Sequence, residues 1–158
     1  MTLKLVRVDD RLIHGQVMAI WLRALGAKTI VIVDDETAND DFLKEILELA
    51  APTGVDVEVY GVEEGAPRVK ELAESDEPTF VLVKSPVTAL QIVERGAGIP
   101  VLNVGGMGAR EGRRTFYKNI SVDDAEIEAM RELEKRGTKV EFRIVYDEAA
   151  TPFSSLDK

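Results

Sequence analysis

Short β-branched runs alternate with segments of helical period along almost the whole chain, and this alternation narrows the possible folds more than any other feature. The runs are LKLVRV (3–8), TIVIV (29–33), VDVEVY (55–60), TFVLVK (79–84), IPVLNV (99–104) and KVEFRIV (139–145). Each has strand length and is rich in residues that suit a pleated surface. Between them apolar residues recur at helical spacing: Val17, Ile20, Trp21 and Leu25; Phe42, Leu43, Ile46, Leu47 and Ala50; Val87, Leu90 and Val93; Ile127, Met130 and Leu133. Each set predicts a buried stripe on one helix face. Parallel neighbours in a sheet need a crossover, usually a helix. The pattern therefore predicts an α/β fold with six strands in an open, mainly parallel sheet and helices on both faces.

Local punctuation supports this division. Ser85 is placed as a helix N-cap with Pro86 at the first helical position, and Ser121 as a second N-cap with Asp124 three residues on. Gly26, Gly96 and Gly137 stand where helices are expected to end. The stretch GGMGAREGRRTFYKN (105–119) has no clean period and is expected to form a rim or functional loop. A length of 158 residues, 45% of them hydrophobic, suits one domain over 1–158 with a single substantial core.

Composition removes several classes of chemistry. The chain has no cysteine, which excludes disulfides, thiolate nucleophiles and cysteine-built metal sites. A formal net charge of −9 argues against general nucleic-acid binding, since a phosphate backbone requires a basic surface. Small molecules and proteins are the expected partners. The apolar stretches fall short of a bilayer crossing, and MTLKLVRV lacks the charged head and long apolar segment of a signal peptide, so a cytoplasmic location is expected.

The single histidine lies in RVDDRLIHGQV (7–17), just after the first strand run. Ligand sites of open parallel sheets gather at the carboxyl ends of strands, near the point where strand order reverses. A neutral imidazole nitrogen at His14 is a competent nucleophile toward phosphorus. The helix expected to follow would present unpaired N–H groups near Gly15 and Gln16 to an anion, and Arg11 offers a planar fork of donors for phosphate oxygens. Asp9 and Asp10 fit two readings, as groups that orient Arg11 and the imidazole or as residues that end a strand. One histidine beside two acids does not make a metal site, and no cofactor is expected.

RVDDRLIHGQV, NVGGM and SVDD, in this order and spacing, resemble the IIB component of the mannose/fructose/sorbose family of the bacterial phosphoenolpyruvate-dependent sugar phosphotransferase system (PTS). The resemblance implies that His14 takes a phosphoryl group from phosphohistidine on a IIA component, at ring nitrogen Nδ1. It then passes the group to a hexose or amino sugar held by the membrane components IIC and IID, as a phosphohistidine–sugar phosphotransferase. It further implies a three-layer α/β/α fold with strand order 3-2-4-1-5-6, and a cytoplasmic protein peripherally associated with IIC and IID. Arg11 would neutralise the transferred group, Asp9 would hold Arg11 or the imidazole, and Gly15 and Gln16 would bind phosphoryl oxygens through backbone donors.

Ser85 follows the fourth strand run, where its hydroxyl is expected either to cap a helix, to reach the phosphoryl group, or both. Arg110, Arg113, Arg114 and Lys118 form a basic cluster in an acidic chain. Together with Arg7 or Arg11, it would steer encounter with an acidic surface on IIA. Three other readings compete. An aspartate-nucleophile phosphatase also starts with a strand ending in acids, but its pattern needs an acid two positions after the first, where Arg11 stands. A receiver-like signalling domain needs an aspartate after the third strand, where VDVEVYGVEE supplies only glutamates. A non-transport regulatory phosphoprotein would accept phosphate on His14 and hand nothing on.

Overall fold

The structure, a computed structural model, describes residues 3–13 and 15–157, without the side chains of Gln16 and Val17. The first half runs β1 (Leu3–Asp9), α1 (Gly15–Leu25), β2 (Thr29–Val33), α2 (Asp35–Ala38), α3 (Asp41–Ala50), β3 (Asp56–Tyr60), α4 (Val62–Ala73) and β4 (Thr79–Val83). The second runs α5 (Pro86–Glu94), β5 (Val101–Gly106), β6 (Arg114–Tyr117), β7 (Ile120–Val122), α6 (Asp124–Lys135), β8 (Lys139–Phe142), β9 (Thr151–Pro152) and α7 (Phe153–Leu156). The main sheet has order β3-β2-β4-β1-β5-β8-β9. Its first six strands pair in parallel and are the six read from the sequence, in the order 3-2-4-1-5-6. The short β9 adds an antiparallel edge on β8, and β6 with β7 forms a separate hairpin.

Alternation along the central strands divides the core into two layers. Ile30, Ile32, Phe80 and Leu82 face Met18, Trp21 and Leu22 of α1 and Leu47 of α3. Val31, Val33, Val81 and Val83 face α4, α5 and α6 through Val69, Ile92 and Met130. Every residue of β2 and β4 is buried, as expected for strands covered on both faces. Each large apolar side chain buried in this way contributes about 1.5–3 kcal/mol.

Four local expectations are corrected. The helix α4 has no counterpart in the sequence reading, because Gly65 and Pro67 interrupt its pattern. Gly65 is needed there, since a Cβ would lie 2.9 Å from the Val33 methyls. The buried stripe of α1 is also rotated: Met18, Trp21 and Leu22 are buried, whereas Ile20 is 49% exposed. On α3 the apolar residues flank both sides of the helix, so Leu47 is buried while Phe42 and Ile46 are exposed. Finally, Ser121 lies within β7, and the N-cap of α6 is Asp123 in a reciprocal capping box with Glu126. Ser85 caps α5 with Pro86 at its start, and Gly26, Gly96 and Gly137 take positive φ just after helices.

Candidate active site

Strand β1 sits between β4 and β5; the crossover after β1 runs to β2 on one side of it and the crossover after β4 runs to β5 on the other, which opens a crevice at the carboxyl end of β1. The chain leaves β1 at Asp9 in a tight turn, closed by the Leu12 N–H donating to the Asp9 carbonyl at 2.9 Å. Leu12 takes φ +57°, an unfavourable conformation for a branched residue, and its buried side chain holds it there. Gly15 then opens α1, whose first-turn N–H groups have no intrahelical partners. His14, between Ile13 and Gly15 in sequence, lies outside the described residues, as does the Gln16 side chain.

Two-residue spacing in β1 puts Arg7 and Asp9 on one face. The Arg7 side chain is fully buried. Its Nη1 donates to Asn103 Oδ1 at 2.6 Å and to the Arg143 carbonyl at 2.9 Å, while Nη2 donates to the Ile144 carbonyl at 2.9 Å. Nε and Nη2 also reach Asp9 Oδ2 at 3.4 and 3.3 Å. Burial lowers the Arg7 pKa, and Asp9 opposes that shift through charge and hydrogen bonding. The steering role expected for Arg7 is therefore corrected: no part of its guanidinium can meet a partner surface.

Asp9 is buried beneath Arg11 and orients it. Arg11 donates to Asp9 Oδ1 from Nε at 3.0 Å and from its backbone N at 3.2 Å, and to Oδ2 from Nη2 at 3.2 Å. The hydrogen bonds to Asp9 raise the Arg11 pKa. Half of the Arg11 side chain, 51%, remains exposed at the mouth of the crevice. A buried carboxylate thus fixes a cation that still has free donor capacity on its solvent side.

The opposite wall is the end of β5 and the loop after it. Asp10, Arg11, Gly106, Met107 and Asn119 border a cleft of about 210 Å³. Glycine is demanded here by proximity: a Cβ on Gly105 would lie 1.9 Å from Arg7 Cζ, and one on Gly106 would lie 2.5 Å from Asp9 Oδ1. Gly105→Ala is expected to displace the buried guanidinium and destabilise the fold by about 1–3 kcal/mol or more. Urea denaturation measures this, and an unchanged midpoint would count against the packing described.

The basic cluster of this loop does not act as a single surface. Arg113 points inward with a side chain 1% exposed, and donates from Nε and Nη2 to Glu126 Oε1 and Oε2 at 3.0 and 2.8 Å. Burial lowers its pKa, but hydrogen bonds and charge from Glu126 and Asp10 outweigh this and leave the value raised. Arg113 is thus corrected from a solvated docking residue to a buried ion pair. Arg114 is exposed and paired with Asp124 at 2.7 Å, Lys118 pairs with Glu148, and Arg110 is exposed. The Ser85 hydroxyl accepts from Val87 N at 3.2 Å and donates to Glu126 Oε2 at 3.0 Å, so the group expected to reach phosphate is engaged as a cap.

Sequence reasoning missed Asn103 and Glu126. A D-x-x-E capping signature at 123–126 marks Glu126 as a residue at a helix start. Nothing local marks Asn103, whose role depends on β1 lying beside β5.

No helix among the described residues is long and apolar enough to cross a membrane. The family profile described as the PTS system sorbose subfamily IIB component matches residues 3–157. The sorbose-specific EIIB component of Klebsiella pneumoniae is 37% identical over 158 residues, covering 100% of this chain and 95% of that protein. The mannose-specific EIIAB component of Escherichia coli K12 is 37% identical over 145 residues, covering 92% of this chain and 45% of that longer protein. In structure, the crystallised IIBSor domain of the Klebsiella pneumoniae sorbose permease superposes with a TM-score of 0.92 at 36% identity, covering 98% of this chain and 95% of that one. A crevice at the end of β1, a carboxylate-anchored arginine and matches across nearly the full length agree on one assignment: the chain belongs to the sorbose-subfamily IIB components of the sugar phosphotransferase system.

Proposed function

We propose that this protein carries a phosphoryl group from a phosphorylated IIA component to a sugar held by membrane components IIC and IID, with His14 as the carrier. The observation that most supports this reading is the Asp9–Arg11 pair, which presents a half-exposed guanidinium at the carboxyl end of β1, in the short segment that leads into α1. In the first step a lone pair of His14 Nδ1 forms an N–P bond, while the donor N–P bond breaks and its electron pair returns to the donor imidazole. In the second, a sugar hydroxyl oxygen attacks phosphorus, its proton passes to a base or to solvent, and the electron pair of the His14 N–P bond returns to the ring.

The protein has little covalent work to do in either step. Arg11 meets charge on the equatorial oxygens, the amides of Gly15 and Gln16 meet the rest, and Asp9 keeps the guanidinium in place. The joined A and B designations of the mannose relative support IIA as the donor. Exposed Arg110 and Arg114 would contribute to its encounter. The protein acts in the cytoplasm beside the membrane components.

Adding membranes that contain IIC and IID, with sugar, to the phosphorylated protein tests the onward step. The label is expected to chase into sugar phosphate. Label that stays on the protein under those conditions would identify a regulatory phosphoprotein instead.

A further inference from the structure

Two adjacent acids at the end of β1 have separate tasks. Asp9 orients Arg11, whereas Asp10 engages the opposite wall of the cleft. Asp10 Oδ2 accepts the Gly108 N–H at 2.8 Å, and its backbone N–H donates to the Gly106 carbonyl at 3.0 Å. Arg113 closes the same arrangement from behind, with Nη1 donating to the Gly108 carbonyl at 2.9 Å and lying 3.4 Å from Asp10 Oδ2.

The other end of Arg113 is fixed firmly. Its fork is met by both oxygens of Glu126, a carboxylate 2% exposed. Glu126 also accepts from Ser85 Oγ and from the Asp123 N–H, so the carboxylate ties the starts of α5 and α6 together. Met107 is held as well, because its carbonyl accepts the Ser121 N–H at 2.9 Å. A loop with only backbone attachment would keep its freedom. This one is riveted to two helix starts through one buried guanidinium, and its near edge borders the cleft that holds Arg11.

From this geometry we infer that Arg113 is a positioning residue for phosphoryl transfer, acting through Gly108 and Asp10 to set the loop wall opposite Arg11. This rests on the proposed transfer reaction and adds a residue to it. Transfer between two imidazoles needs near in-line alignment of donor nitrogen, phosphorus and acceptor nitrogen, so a wall displaced by an ångström affects rate more than binding. Lysine cannot replace Arg113, because one ammonium cannot meet both Glu126 oxygens and the Gly108 carbonyl in a planar fork.

The test compares wild type, Arg113→Lys, Asp10→Ala and, as a remote charge control, Arg136→Gln. Asp10→Ala removes the acceptor at the partly exposed end of the bridge and leaves the Arg113–Glu126 pair intact, so folding is spared. Rates of phosphoryl acceptance are measured against concentration of a phosphorylated IIA domain, with amide hydrogen exchange at Gly108 followed in parallel. In Arg113→Lys and Asp10→Ala, Gly108 protection is expected to fall and kcat to drop by about tenfold to a hundredfold, with KM for IIA nearly unchanged. Arg136→Gln should match wild type. Wild-type kcat with a released Gly108 amide would overturn the inference, as would retained Gly108 protection or a rise in KM at constant kcat. A wild-type protein that takes no label would instead remove the transfer reaction itself, and this role with it.

Discussion

Asp9→Asn is expected to lower the unfolding free energy by about 3–5 kcal/mol, the largest stability effect of any single polar substitution at the site. The substitution preserves shape and removes the carboxylate hydrogen-bonded to Arg7, a guanidinium with no exposure to water. Arg7 also donates to the neutral Asn103 amide and to the carbonyls of Arg143 and Ile144. Those satisfy donors without balancing charge, and the weaker, longer-range influence of Glu148 leaves the buried cation largely uncompensated. The double variant Arg7→Met, Asp9→Asn should recover part of the loss, because it removes both charges together. Urea denaturation of the single and double variants measures both effects. A single-variant loss below about 1 kcal/mol would contradict the role given to this pair.

Arg11→Met is expected to do the opposite, sparing the fold and slowing the chemistry. The side chain is half exposed, so its ion pair contributes at most about 1 kcal/mol to stability. Its removal takes away the donor fork expected to meet charge on the transferred group. Loss of one such oriented donor typically costs about 10²–10³ in rate. Arg11→Lys should restore charge but only part of the rate, because an ammonium cannot keep both Asp9 contacts and still present a fork to phosphate. Rapid-quench measurement of phosphoryl acceptance from IIA gives the rate, with thermal unfolding as the control for folding. Wild-type rates in Arg11→Met would exclude Arg11 from the transfer step.

The strand pattern was legible because β2 and β4 are buried on both faces, leaving runs such as TIVIV and TFVLV with no polar interruption. The order of the sheet came from the family resemblance and agrees with the pairing. The helix α4 was hidden by Gly65 and Pro67, which weaken a local pattern although tertiary packing on Val33 favours the glycine. Helix phase was harder still, because α1 and α3 carry apolar residues on more than one face and only the sheet decides which side is covered.

At the site, RVDDR announced the right residue types but not their division of labour. Arg7 and Arg11 look alike in sequence, yet one is sealed by Asn103 and carbonyls from 136 and 137 residues away while the other reaches solvent. The same applies to Arg113 and Arg114, neighbours that point to a buried carboxylate and an exposed one respectively. Charge clusters read along the chain become separate groups once a strand or hairpin turns alternate side chains in opposite directions.

The most direct measurement is to phosphorylate the protein with phosphoenolpyruvate, the general phosphotransfer proteins and IIA, and then locate the phosphate by mass spectrometry and phosphorus NMR. One acid-labile group on His14 Nδ1, absent from His14→Ala, is the predicted result. A stable phosphate on another side chain, or equal labelling of His14→Ala, would contradict it.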